Sequence, residues 1–138
     1  MDIKNENKKL IEIYFSQVWN QGDFEVLNRI IAPNYVNHHP SAPNPPPGPA
    51  GLVPIIAEMR KGIPDLRYTI LNLVITDDRV VAHVRVQGTH RGTLWGIPPT
   101  GRSFDVEQIN IERIENGKIA EHWRVTEELK MFRQLGLV

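Results

Sequence analysis

The chain has 138 residues, enough for one domain built on one core, and its 16 basic and 16 acidic side chains balance. That balance gives no general attraction to nucleic acid or an anionic membrane, and no apolar run approaches the roughly 20 residues of a spanning helix. There are no cysteines, which excludes disulfides, thiolate nucleophiles and thiolate metal sites, and a cytoplasmic location is expected.

The N-terminal stretch is charged and Glu12 interrupts its apolar part, so it does not read as a secretory signal. It reads as a helix. Leu10, Tyr14 and Val18 form one stripe, with Ile11, Phe15 and Trp19 beside it at steps of four. Asn20-Gln21-Gly22 stops it, and Asp23 is an N-cap for a short second helix that Pro33 ends. Six of the eleven prolines then fall between Pro40 and Pro49, which predicts an extended loop. A third helix is expected from about Ala50 to Lys61, with Pro54 in its first turn or kinking it.

After Gly62 the period changes. Leu66 to Thr76, Arg79 to Thr89, Arg102 to Glu115 and Lys118 to Thr126 read as strands. Asp77-Asp78 and Asn116-Gly117 are hairpin turns, and the last segment, Glu127 to Leu137, is expected to form a short helical end. Helices first and a meander of strands afterwards predict an α+β fold, with helices on one face of a curved antiparallel sheet.

Between two of these strands lies WGIPPTGRS, Trp95 to Ser103. From Gly96 it reads G-x-x-x-x-G-R-S, one residue type from a phosphate-binding loop. Such a loop works through backbone N–H groups at a helix start. Here Pro98 and Pro99 remove two donors, and a strand follows. A stiff strand connection is the better reading.

Five histidines show no zinc-binding spacing, and the three serines, Ser16, Ser41 and Ser103, sit in no nucleophile elbow. No metal site is expected. His38 stands out because it lies in the proline-stiffened loop. On the last strand Ile119, Trp123 and Val125 share one parity, expected to face the core. Glu121 has the same parity, as does Glu127 if the strand persists. These carboxylates are either ion-paired or general acids or bases raised by an apolar cavity. Gln108 and Asn110 continue the parity of Phe104 and Val106, which would bring two amides into a pocket. The alternative is a bulge that turns them to water, with Ile109 and Ile111 inside.

YFSQVWNQGDFEVLNRIIAPNYVNHHP, the segment from Gly48 that ends Ile63-Pro64-Asp65-Leu66, GTHRGTLWGIPPTGR, and RIENGKIAEHW with the later Gln134-Leu135-Gly136 carry a likeness over almost the full length. Together they resemble the SnoaL-like polyketide cyclase family (also labelled ester cyclases) of the nuclear-transport-factor-2-like superfamily. The resemblance implies one domain over 1–138, a cone-shaped α+β barrel with N-terminal helices packed on a strongly curved sheet. It also implies acid-base ring closure without metal or cofactor, as by an isomerase or lyase, on a hydrophobic carbonyl compound, and a homo-oligomer paired through outer sheet faces.

On that resemblance Glu127 best matches the acidic position after the tryptophan and is the expected base, with Glu121 second and His38 matching a family histidine. Phe15, Trp19 and Trp123 are expected as the apolar wall, and Asn37, Gln108 and Asn110 as polar pocket residues. Arg124 departs from the small or acidic residue of many relatives, and the insert from Pro43 to Pro49 is expected to reshape the pocket mouth. The alternative function is a non-catalytic pocket for a hydrophobic small molecule, or an accessory domain. Hydrolysis, such as epoxide opening, would want an Asp-Arg-Asp cluster that does not assemble from this sequence.

Overall fold

A computed structural model describes residues 2–138. Helix α1 spans Ile3–Ile13, with the Asp2 carboxylate accepting from the Asn5 N–H at 2.8 Å as its N-cap. It runs on without a break into a π-helical turn, Tyr14–Trp19, where the Asn20 N–H reaches back five residues to the Phe15 carbonyl. The widened turn buries Tyr14, Phe15, Val18 and Trp19 together, more than one stripe of an ordinary helix presents. Asp23 caps α2, Phe24–Ile30, through the Val26 N–H.

The chain then enters β1, Ile31–Asn37, where the sequence suggested only a helix end. Pro33 sits inside this strand. That is tolerated because β1 is an edge strand, with a register shift between Ile31 and Val36. After the proline-rich loop come α3 (Pro49–Gly62), β2 (Arg67–Ile75), β3 (Arg79–Thr89), β4 (Ser103–Glu115), β5 (Lys118–Thr126) and α4 (Glu128–Gln134).

The five strands form one sheet in the order β1-β5-β4-β3-β2. β1 pairs parallel with β5 and every other pairing is antiparallel, so the sheet is mixed and not wholly antiparallel. Helices α1 to α3 cover its concave face. Ile11, Val18, Leu27, Ile56 and Ile119 are fully buried there. Among the described residues no helix is long and apolar enough to cross a membrane.

β5 carries the largest correction to the sequence reading. Register with β4 shifts between Arg113 and Ile114, opposite Ile119 to Glu121. This bulge inverts the side-chain parity of the rest of the strand. Ile119 and Ala120 are both buried. Beyond them His122, Arg124 and Thr126 face the cone, while Glu121, Trp123 and Val125 face outward, with Val125 72% exposed. β4 pairs with β3 in unbroken register, so Gln108 and Asn110 share the inner face with Phe104 and Val106.

The loop containing WGIPPTGRS is pinned at both ends. The His90 N–H donates to the Arg102 carbonyl and the Gly101 N–H donates to the His90 carbonyl, each at 2.9 Å, and the Arg91 and Gly92 N–H groups both bond the Gly62 carbonyl at 3.0 Å. Trp95 and Gly96 turn it with φ of 51° and 76°. In the proline-rich segment the chain approaches α3 so closely that a Cβ on Gly51 would lie 2.0 Å from the Pro46 carbonyl oxygen.

Candidate functional site

Between the inner face of the sheet, α3, α4 and the loop that bears Trp95 lies a cavity of about 420 Å³. That is within the usual range for a small-molecule site. Trp19, Met59, Tyr68, Trp95, Met131 and Phe132 supply its aromatic and thioether walls. His39, Pro40 and Ser41 close one side of the mouth. Pro45, Pro46 and Pro47 lie elsewhere, against Tyr35, Val36 and Asn37, so the proline insert does not itself line the cavity.

The polar groups are arranged by β-strand register. Three cross-strand pairs descend the inner face: Gln108 with Thr126, Asn110 with Arg124, and Glu112 with His122. Burial deepens along this ladder. Gln108 and Thr126 are half-buried, whereas Asn110, Glu112 and His122 are 3%, 0% and 4% exposed. A narrow recess of about 10 Å³ leads from the cavity toward the floor, lined by Tyr14, Phe15, Asn37, Asn110 and His122 among others. It is comparable to the space one water occupies and too small for a carbon ring.

At the floor, Glu112 Oε1 lies 2.6 Å from His122 Nδ1. Burial pushes the Glu112 carboxyl above its ordinary value, and the adjacent His122 and more distant Arg124 pull it partly back. When the carboxylate accepts from Nδ1–H, the neutral imidazole keeps Nε2 as an acceptor. Nε2 has no hydrogen-bond partner among the described residues, and His122 lines the recess. In that tautomer the dyad keeps one acceptor nitrogen, on a residue that lines the recess, with the Glu112 carboxyl behind it.

Tyr68 stacks on Phe15 at 5.5 Å and lies 4.9 Å from Trp19. Burial pushes its hydroxyl up to about 12, against the opposing pull of Arg124 and Gln108, so it stays protonated near neutrality. Burial raises the Tyr14 hydroxyl further. Both phenols are held as donors. Arg124 reaches across the mouth side, its Nη2 donating to the His39 carbonyl at 2.8 Å and to Ser41 Oγ at 3.4 Å.

Five of the sequence-predicted site residues meet around this space: Phe15, Trp19, Asn37, Gln108 and Asn110. Four others do not. Trp123 lies on the outer face, where His38 stacks on it at 4.8 Å and the Arg79 guanidinium sits over its ring. Glu121 is there too, 2.7 Å from both His38 and Arg113. Arg113, and then His38, hold its carboxyl below the usual carboxylate range, the opposite of a raised general acid. Glu127 stands at the start of α4 on the other side of the strand. Its side chain accepts from the Glu107 N–H at 2.8 Å and lies 3.7 Å from Lys130. It ties α4 to β4 and does not line the cavity.

Sequence reasoning missed Glu112, His122, Tyr14, Tyr68 and the mouth group around His39. The inner-face parity of Gln108 and Asn110 continues to Glu112, but counting regularly back across the Asn116-Gly117 hairpin pairs Glu112 with Glu121, and only the bulge at Arg113 and Ile114 sets His122 opposite it. Among the described residues no three His, Asp or Glu side chains converge as a metal-binding set.

A family model described as SnoaL-like polyketide cyclase matches residues 9–135. The aklanonic acid methyl ester cyclase of Streptomyces peucetius is 46% identical over 57 residues, which cover 41% of this chain and 39% of that relative. The match thus spans less than half of that relative's length. The nogalonic acid methyl ester cyclase of Streptomyces nogalater is 29% identical over 119 residues, 86% of this chain and 89% of its own. Among solved structures, TsrD from Streptomyces laurentii superposes with a TM-score of 0.88 at 31% identity, over 100% of this chain and 99% of the other.

Proposed function

This chain belongs to the SnoaL-like polyketide cyclase family, and from that premise we propose that it closes a ring on a hydrophobic carbonyl compound by cofactor-independent acid-base catalysis. The observation that carries the proposal is the buried Glu112–His122 pair at the floor of an aromatic-walled cavity. His122 Nε2 takes the proton α to a carbonyl, through one bridging water because the recess is so narrow. Gln108 and the Tyr68 hydroxyl hold the enolate oxygen, and Asn37 and Asn110, which line the recess, hold the bridging water. The enolate carbon then bonds to a second carbonyl carbon of the same molecule. The electron pair of that C=O goes to its oxygen, which takes the proton back from His122. The aldol step is mass-neutral.

The test uses aklanonic acid methyl ester and nogalonic acid methyl ester, the compounds named for the relatives, in D2O. Expected results are a cyclised product of unchanged mass, or deuterium at the α-carbon without closure. Tight binding with neither outcome overturns catalysis and favours the rival reading, a non-catalytic pocket. That rival draws on the cavity's acids: Glu112 is shut behind His122, and Glu128 is exposed at the rim. Glu127→Gln keeps an acceptor for the Glu107 N–H, so turnover should stay within about 2-fold, the scale of a roughly 0.5 kcal/mol surface change. A complete loss would return the base to Glu127.

The outer face supports the further proposal of a homo-oligomer. Val74, 61% exposed, and Leu71 lie on β2, while Ile109 on β4 and Val125 on β5 are exposed on adjacent strands farther across the sheet. Sedimentation should give a multimer that Val125→Lys weakens. A monomer at micromolar concentration rejects it.

A further inference from the structure

Arg124 brings a cation into this cavity, and no acid answers it. Its side chain lines both the main space and the recess. An arginine has five N–H donors. The two on Nη2 go to neutral oxygens, the His39 carbonyl and Ser41 Oγ, and those on Nε and Nη1 have no acceptor among the described residues. By contrast, Arg85 and Arg113 on the outer face each hold a carboxylate. Among the described residues no carboxylate lies within salt-bridge distance of Arg124. Glu112 gives one oxygen to His122 and has the other buried without a partner, and Glu128 is exposed at the rim.

The position is built for an anion. The His39 and Ser41 bonds fix the guanidinium on the mouth side, so its remaining donors are pre-oriented. Trp19, Tyr68 and Phe132 surround the same space and lower its dielectric. A charge-assisted pair formed there is stronger than one in water. A neutral ester oxygen would occupy the site but leave that charge unmatched.

We propose that Arg124 sets the substrate class of this cavity: an aromatic or polyketide-like free carboxylic acid, whose carboxylate docks on the unoccupied donors of the guanidinium. This rests on the cavity being the substrate site, as proposed above. It differs from the neutral methyl esters in the relatives' names. The carboxylate stays near the mouth, and the ring and its carbonyls point toward Gln108 and the His122 recess. Arg124 is then an anchoring residue that holds substrate and takes no proton.

The experiment is calorimetric titration of the full chain at pH 7 with 2-naphthoate and with 2-naphthamide, a neutral compound of nearly the same shape. The carboxylate should bind about 10-fold or more tightly than the amide. Arg124→Gln should abolish that preference with little change for the amide. Equal affinities for the wild type, no binding of the carboxylate, or a preference that survives Arg124→Gln each overturn the proposal. If Arg124→Gln does not fold, Arg124→Lys decides, because it keeps the charge and loses the planar fork. A reduced preference supports the proposal and an undiminished one rejects it. A carboxylate preference without any turnover would reject the cyclase reading and leave this one standing. Turnover without the preference would do the reverse.

Discussion

Replacing His122 by asparagine should lower turnover by about 10²–10⁴-fold, the usual contribution of a positioned general base. The substitution is chosen for its geometry. An asparagine amide nitrogen falls near the place of Nδ1 and can still donate to Glu112 Oε1, now 2.6 Å from the ring. What disappears is Nε2. The loss should appear in kcat with little change in KM, because the base acts on the α-proton and holds none of the ground-state substrate. Loss of part of the ring costs about 1 kcal/mol of packing, so the variant should melt only a few degrees below the wild type. Turnover at the wild-type level in a folded His122→Asn protein would refute the base assignment. A parallel loss of stability and activity would show a structural role instead.

The same residue shows where sequence reasoning reached and where it stopped. The helices, the loop chemistry around Pro98 and Pro99 and the strand spans were legible because periodicity and turn residues are local signals. The inner face of β4 was legible too, since its register with β3 has no interruption. β5 was misread by one residue. Its bulge opposite Arg113 and Ile114 is set by how two strands meet, which no single segment records. That one-residue shift moved Glu121 and Trp123 outside and brought His122 and Arg124 inside. β1 was missed for a related reason: Pro33 forbids a central strand but not an edge, and edge position is a property of the whole sheet.

The second large effect concerns stability. The Glu112–His122 pair sits in the core with Glu112 fully buried and its Oε2 without a hydrogen-bond partner among the described residues. Desolvation of such a pair commonly exceeds its mutual attraction. Exchanging both for apolar residues of similar size, Glu112→Leu with His122→Phe, should therefore leave the protein as stable or more stable by about 1–4 kcal/mol. His122→Phe alone should cost about 3–5 kcal/mol, because it strands a buried carboxyl.

The pH dependence separates this account from a simple packing effect. Burial raises the folded-state value for Glu112 above its ordinary 4.5. A raised carboxyl contributes stability that is fully present below the unfolded value and is lost as pH rises through the folded one. Urea unfolding across a pH series should thus show the wild type falling behind the double variant as pH climbs above about 4.5, the unfolded value. A difference that stays constant with pH would mean that Glu112 keeps its ordinary ionisation, and the buried-dyad account would fail. The double variant should also be inactive at every pH. A chain that gains stability and loses turnover through the same two residues is the pattern expected where a buried polar pair is kept for chemistry against its cost to the fold.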